Sequence, residues 1–213
     1  MQEIEELSIG GSLKLTGPVK FKRIELAGSL SIEGSAEGKE LEISGAGRIT
    51  GSLIVGRIEV GGSVRIGGSC ECDSFEISGS AEIGASLKSK EIELAGKIEA
   101  ETIESGVLEV AGKVVSKEIR VREITIEKNS RVKGTVTCGS IHIGKGGEVG
   151  DVYADKVEIE KDAECGLVEC NEIRVERNAG IRELRYVTKA EISQGAEIGK
   201  LRKIERVSRE LPQ

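Results

Sequence analysis

Ile58-Glu59-Val60-Gly61-Gly62-Ser63-Val64-Arg65-Ile66-Gly67-Gly68-Ser69-Cys70-Glu71-Cys72-Asp73-Ser74 is the stretch that decides the fold. Apolar residues stand at alternate positions in three short runs: Ile58 and Val60, Val64 and Ile66, Cys70 and Cys72. Gly61-Gly62, Gly67-Gly68 and Asp73-Ser74 separate the runs. A period of two is the mark of a strand with one buried face, and glycine or short polar pairs punctuate strands at turns. Helical spacing fits none of the runs. The segment therefore reads as three short strands and three corners, one coil of a triangular tube whose apolar residues point inward.

The same coil recurs on both sides of this one. Ile24-Glu25-Leu26-Ala27-Gly28 and Leu41-Glu42-Ile43-Ser44-Gly45 precede it, and Phe75-Glu76-Ile77-Ser78-Gly79 and Ile92-Glu93-Leu94-Ala95-Gly96 follow. The first inward residues are Leu7, Ile24, Leu41, Ile58, Phe75, Ile92, Leu108, Ile124, Ile141, Val157, Ile173 and Ala190, spaced by 17 or 16. Where a coil is one residue short, the gap falls at a corner; a deletion inside a strand would turn every later side chain to the wrong face. A fixed repeat of this length is the signature of a solenoid, whose units cannot bury a core alone and must stack. The expected fold class is all-β: a single-domain parallel β-helix over residues 7–200, with about twelve three-sided coils of 16–17 residues. Parallel crossovers default to the right hand, so a right-handed helix is expected, after a short lead over residues 1–6.

Corner chemistry changes along the chain. Early coils carry glycine at their fifth position, from Gly11 through Gly28, Gly45, Gly62, Gly79 and Gly96 to Gly112. Later coils carry Lys128, Lys145, Lys161, Arg177 and Gln194 there, followed by Asn129, Gly146, Asp162, Asn178 and Gly195. Those followers are the residue types that tolerate positive φ, so the left-handed corner residue is expected to shift by one. This divides the helix into sub-blocks 7–123 and 124–200. Past residue 200 the strand pattern fails. Leu201, Ile204, Val207 and Leu211 stand at helical spacing, which predicts a short helical cap or a flexible tail over residues 201–213.

Composition narrows the function classes. The formal net charge is −6, which gives no reason to expect nucleic acid as a partner. Residues 1–6 lack a basic region and an apolar run, so no signal peptide is expected. No apolar stretch approaches the length of a membrane span. Cys70, Cys72, Cys138, Cys165 and Cys170 make an odd, scattered set, which argues against a secreted disulfide framework and for a cytoplasmic setting. All five fall at inward positions, where a small buried hydrophobe is the ordinary role of cysteine, so no metal site is expected. The single histidine, His142, lies at an outward position. No phosphate loop or dinucleotide fingerprint is present. No catalytic residue and no cofactor are expected.

The later coils resemble a known family. Gly150-Asp151-Val152-Tyr153-Ala154, continuing through Val157-Glu158-Ile159 to Ala163-Glu164-Cys165-Gly166, is similar to the repeats of bactofilins, and Val64-Arg65-Ile66-Gly67-Gly68 is a looser match. Period and three-sided pattern agree with that family over residues 7–200. The resemblance implies a right-handed β-helix that polymerises end to end into non-polar cytoskeletal filaments without nucleotide. Bactofilins have about half as many coils, and many carry an apolar N-terminal tail for membrane attachment. The acidic start of this chain puts membrane binding in doubt.

The expected partner is thus the chain itself, in a head-to-tail homopolymer. Its interface residues are expected in the terminal coils: Leu7, Ile9, Leu13, Leu15, Val19 and Phe21 at one end, Ala190, Ile192, Ala196 and Ile198 at the other. An alternative reading is a capped scaffold that binds a basic protein along an acidic face. Glu25, Glu42, Glu59, Glu76, Glu93 and Glu109 share one outward position, about 4.8 Å apart when stacked. A remote alternative is a hexapeptide-type acyltransferase using His142, which would need a loop excursion that this sequence lacks.

Overall fold

The structure is a computed structural model that describes residues 2–212, with side chains from residue 3 onward. All of its regular structure is parallel β-strand; no helix occurs among the described residues. The chain forms two compact units, Met1–Ser105 and Gly106–Gln213.

The first unit holds β1 (Gln2–Ile9), β2 (Ser12–Thr16), β3 (Val19–Leu26), β4 (Ser29–Glu33), β5 (Ala36–Ile43), β6 (Ala46–Ile49), β7 (Leu53–Val60), β8 (Ser63–Ile66), β9 (Cys70–Ile77) and β10 (Ser80–Leu94). Strand β11 (Lys97–Val110) contains the point of division. The longer strands turn a corner midway. In β7, Leu53 and Val55 face inward on one side, Gly56-Arg57 make the corner, and Ile58 and Val60 face inward on the next. Each such strand pairs with the one a full coil away, β1 with β3, β3 with β5, β5 with β7, β7 with β9 and β9 with β10. The shorter strands β2, β4, β6 and β8 form the third side with the start of β10. The register is the one the repeat predicts: Leu7, Ile24, Leu41, Ile58, Phe75 and Ile92 stack as direct partners.

The second unit continues from β11 with β12 (Lys113–Ile126), β13 (Arg131–Ile143), β14 (Glu148–Ile159), β15 (Glu164–Val175), β16 (Gly180–Ile192) and β17 (Glu197–Lys203). Ile124, Ile141, Val157, Ile173 and Ala190 stack in register, again as the repeat predicts. Each unit is therefore a β-solenoid whose core is built from columns of Ile, Leu, Val, Ala and Cys, with Phe75 the largest fully buried side chain. Stacking apolar on apolar fills a thin interior with few aromatics, because each inward residue packs against the inward residue one coil away, Phe75 between Ile58 and Ile92.

The corners from Ile124 onward are left-handed at the expected residues, but the expected shift from a left-handed glycine does not occur, because the glycine corners work by another cause. In the second unit, Asn129, Asp162 and Asn178 have φ near +60°, and Gly146 and Gly195 are also left-handed. Each sits third in a tight turn, as in Glu127 to Ser130, where the Ser130 amide donates to the Glu127 carbonyl at 3.1 Å. In the first unit, the fifth-position glycines Gly28, Gly45, Gly62, Gly79 and Gly96 are not left-handed. They are required by close approach: a Cβ at any of them would fall within 3.0 Å of a backbone oxygen in the coil before. Two successive amides at this corner reach one carbonyl. Gly61 and Gly62 both donate to Ile43, at 2.9 and 3.0 Å, and that convergence draws the backbones together.

The end of the chain corrects the helical expectation. Strand β17 runs on through Leu201 to Lys203, with Leu201 beside Leu184 and Lys203 beside Tyr186. The free edge of β16 offers a row of backbone partners, whereas an isolated helix of this length is marginal in water. Beyond Ile204, whose amide donates to the Tyr186 carbonyl at 2.9 Å, the chain has no regular structure up to Pro212.

Candidate functional site

Four groups of residues merit attention: the two end coils, the glutamate column, the buried thiols with His142, and the C-terminal segment.

At the start of the first unit, β1 pairs only with β3 and β2 only with β4 among the described residues, so each keeps one edge unpaired. Ile9, Val19 and Phe21 are buried, while Leu7, Leu13 and Leu15 are half-buried. Of the expected interface residues at this end, these three leucines are therefore the ones open to a partner. A Cβ at Gly10 or Gly11 would meet nothing within 4 Å, so the first coil is open on its outer side. At the close of the second unit, among the described residues, β17 pairs only with β16 and the final stretch of β16 only with β15. Ala190, Ala196 and Ile198 are half-buried there, Ile192 is 37% exposed and Leu201 is 52% exposed. Exposed apolar residues on an unpaired edge are a template for further pairing.

Glu25, Glu42, Glu59, Glu76 and Glu93 form one stacked column in the first unit. Like charges at this spacing repel, and two arginines from the adjacent corner offset them. Arg23 Nη2 lies 2.5 Å from Glu25 and 3.6 Å from Glu42, and Arg57 Nη2 lies 3.7 Å from Glu59 and 3.4 Å from Glu76. Glu25 and then Glu40 hold the Arg23 guanidinium above its ordinary pKa. Glu109, expected as the sixth member, belongs to the second unit and is exposed. There the same position carries Thr125, His142, Glu158, Arg174 and Glu191, so the uniform acidic face is confined to the first unit.

All five cysteines are buried and unbridged. Burial pushes the thiols of Cys138, Cys165 and Cys170 up to about 12, which leaves them protonated, poor nucleophiles and poor metal ligands. No metal-binding cluster occurs among the described residues. His142 points outward, half-exposed, with Nδ1 3.5 Å from Glu158 and Nε2 3.4 Å from Glu160.

The C-terminal segment is what the sequence did not reveal. Residues 204–212 leave the last coil and descend along the flank of the second unit, over β15, β14, β13 and β12. The Ser208 amide donates to the Glu169 carboxylate, which Arg185 also meets at 3.3 Å. The Arg209 guanidinium lies 4.6 Å from the centre of the Tyr153 ring and 3.2 Å from Glu118. Thr137, Tyr153, Glu169 and Arg185 are stacked outward positions, yet Thr137 and Glu169 are only 0% and 1% exposed, and Ser208 of the segment lies against Glu169. The segment thus straps the side and leaves the end coil uncovered. One signal was present in the sequence: Tyr153 is one of only two tyrosines and stands at an outward position.

No family model matches the chain, and no curated protein matches it. Among solved structures, the Tapirin C-terminal domain of Caldicellulosiruptor hydrothermalis is similar at 10% identity and a TM-score of 0.48. That similarity covers all of this chain and 64% of the Tapirin chain. Among the described residues no helix is long and apolar enough to cross a membrane.

Proposed function

We propose that this chain is a non-enzymatic structural protein that joins to further copies of itself end to end, as its bactofilin-like repeats suggest, and head to tail, as the match between its two ends suggests. The observation that carries this reading is how the two end coils match when their positions in the repeat are compared. Leu7 and Ile9 hold the positions of Ala190 and Ile192, and Leu13 and Leu15 those of Ala196 and Ile198. Set one coil apart, with residues 2–4 giving way to 201–203 on the side both would occupy, the half-buried residues of one end cover the exposed residues of the other.

The charges agree with the same register. Glu6 precedes Leu7 as Lys189 precedes Ala190, so the register that sets Leu7 beside Ala190 sets Glu6 beside Lys189. Glu6 meeting Lys189, edge to edge at about 4.8 Å, favours this polarity through attraction. Two first coils would bring Glu6 against an acidic edge of its own kind, which is the arrangement that like charges disfavour. The strapped flank supports this reading too, since residues 204–212 do not lie across the last coil. Arg23 and Arg57 already offset much of the glutamate column, which weakens the case for a basic protein partner there.

Negative-stain microscopy of the purified chain tests the proposal. Filaments that lengthen with protein concentration and shorten with salt are expected, because surface charge attraction is screened. Monodisperse single chains at every salt and protein concentration would sink it.

A further inference from the structure

The C-terminal segment is held like a bound peptide. Three contacts fix it, and each belongs to residues 207–212 rather than to the link at Ile204. The buried Glu169 carboxylate accepts the Ser208 amide. The Tyr153 ring and Glu118 together receive Arg209. Val207 and Leu211 are half-buried on either side. The groove beneath is equally specific. Next to Tyr153 in the same column is Thr137, whose buried hydroxyl has no hydrogen-bond partner among the described residues, and the far wall of the groove is Gly139, beside the Pro212 carbonyl. An outward column of a solenoid is ordinarily solvated, so a buried carboxylate there needs a partner that stays in place.

We infer that the Thr137–Tyr153–Glu169 flank is a peptide-docking groove whose ligand is the 204–212 segment, taken in cis from the same chain and in trans from a second copy. The recognised chemistry is an extended segment with a free amide for Glu169, a guanidinium for Tyr153 and Glu118, and an apolar residue on each side. Exchange follows from the tether. A short flexible link holds the segment at an effective concentration on the order of millimolar. A segment that remains docked under that condition must bind in trans with a dissociation constant at or below about 1 mM. Exchanging segments would link copies side by side, a contact independent of the end-to-end one.

The test uses the full chain with its own segment weakened by Ser208→Pro and Arg209→Ala, and a fluorescent synthetic peptide of residues 203–213. The variant is expected to bind the peptide at or below about 1 mM, and the wild-type chain at least about twofold more weakly, and more so the tighter the peptide binds, because its groove is occupied. The peptide carrying Arg209→Ala should lose about tenfold in affinity. No binding by the variant up to that concentration, or equal binding of both peptides, overturns the inference. An unchanged circular dichroism spectrum verifies that the variant is folded; otherwise the full chain with Arg209→Ala alone serves, with the same order of affinities expected. End-to-end filaments without peptide binding would leave the proposed function standing and this inference overturned.

Discussion

The two units solve the same corner in two ways. In the first, glycine lets the backbone of one coil press against the next, and two amides share one carbonyl. In the second, a residue with φ near +60° closes a tight turn, and the following position is released from the close approach. The inward columns are alike in both. A β-solenoid therefore fixes its interior strictly and its corners loosely, provided each corner satisfies its backbone groups and keeps the strand register. The difference also explains the surfaces. A glycine corner carries no side chain, so the glutamate column of the first unit is offset by Arg23 and Arg57 from the neighbouring corner. The turns of the second unit present Lys128, Lys145, Lys161 and Arg177 directly.

The largest expected effect breaks the first solution. Gly62→Ala places a Cβ within 3.0 Å of the backbone oxygens of Gly45 and Ser44, which no side-chain rotation relieves. It is expected to cost about 3 kcal/mol in denaturant unfolding; a cost under about 0.5 kcal/mol would show that close approach does not define this corner. Next comes the second solution. Asn129→Ala forces a left-handed backbone on alanine and should cost about 1–2 kcal/mol, while Asn129→Gly should change stability by less than about 0.5 kcal/mol. If alanine and glycine behave alike at position 129, the left-handed turn is not what the asparagine supplies.

Arg57→Ala sharpens the contrast in surface charge. It leaves Glu59 and Glu76 facing each other, and a loss of about 0.5 kcal/mol is expected at low salt. The loss should shrink as salt screens the repulsion; an effect that grows with salt would contradict that cause. The smallest effect is a response to acid. Hydrogen bonds from Arg131, Arg185 and Lys189 hold the carboxyls of Glu148, Glu183 and Glu191 below their ordinary value of 4.5. A depressed folded-state pKa gives a contribution that is full above the unfolded value and lost as pH falls through the folded one. Thermal unfolding followed from about pH 6 to about pH 3 should therefore show stability falling below about pH 4.5. Replacing all three with glutamine should flatten part of that fall, and a fall of unchanged size would remove these pairs from the account.

Most of the fold was legible because the repeat states it many times. Alternation gave the strands, spacing gave the register from Leu7 to Ala190, and Asn129, Asp162 and Asn178 marked the left-handed corners by residue type. What the repeat states once was not legible. Leu201 alternates too briefly to read as a strand and falls by chance at helical spacing with Ile204, Val207 and Leu211. The fifth-position glycines show that a side chain is excluded, but not whether φ or a neighbouring backbone excludes it. The candidate end residues were readable from the repeat, whereas the docking of residues 204–212 depends on Glu169, Tyr153 and Glu118, which are far apart in sequence and share no motif.

End-to-end attraction in which Glu6 of one copy meets Lys189 of the next is the central claim, and charge reversal tests it most directly by negative-stain microscopy. Glu6→Lys sets like charges at the junction, and so does Lys189→Glu. Each alone is expected to shorten filaments to single chains or small oligomers, and the two substitutions combined in one chain are expected to restore them. Filaments of wild-type length from either alone, or no recovery in the double variant, would contradict the account.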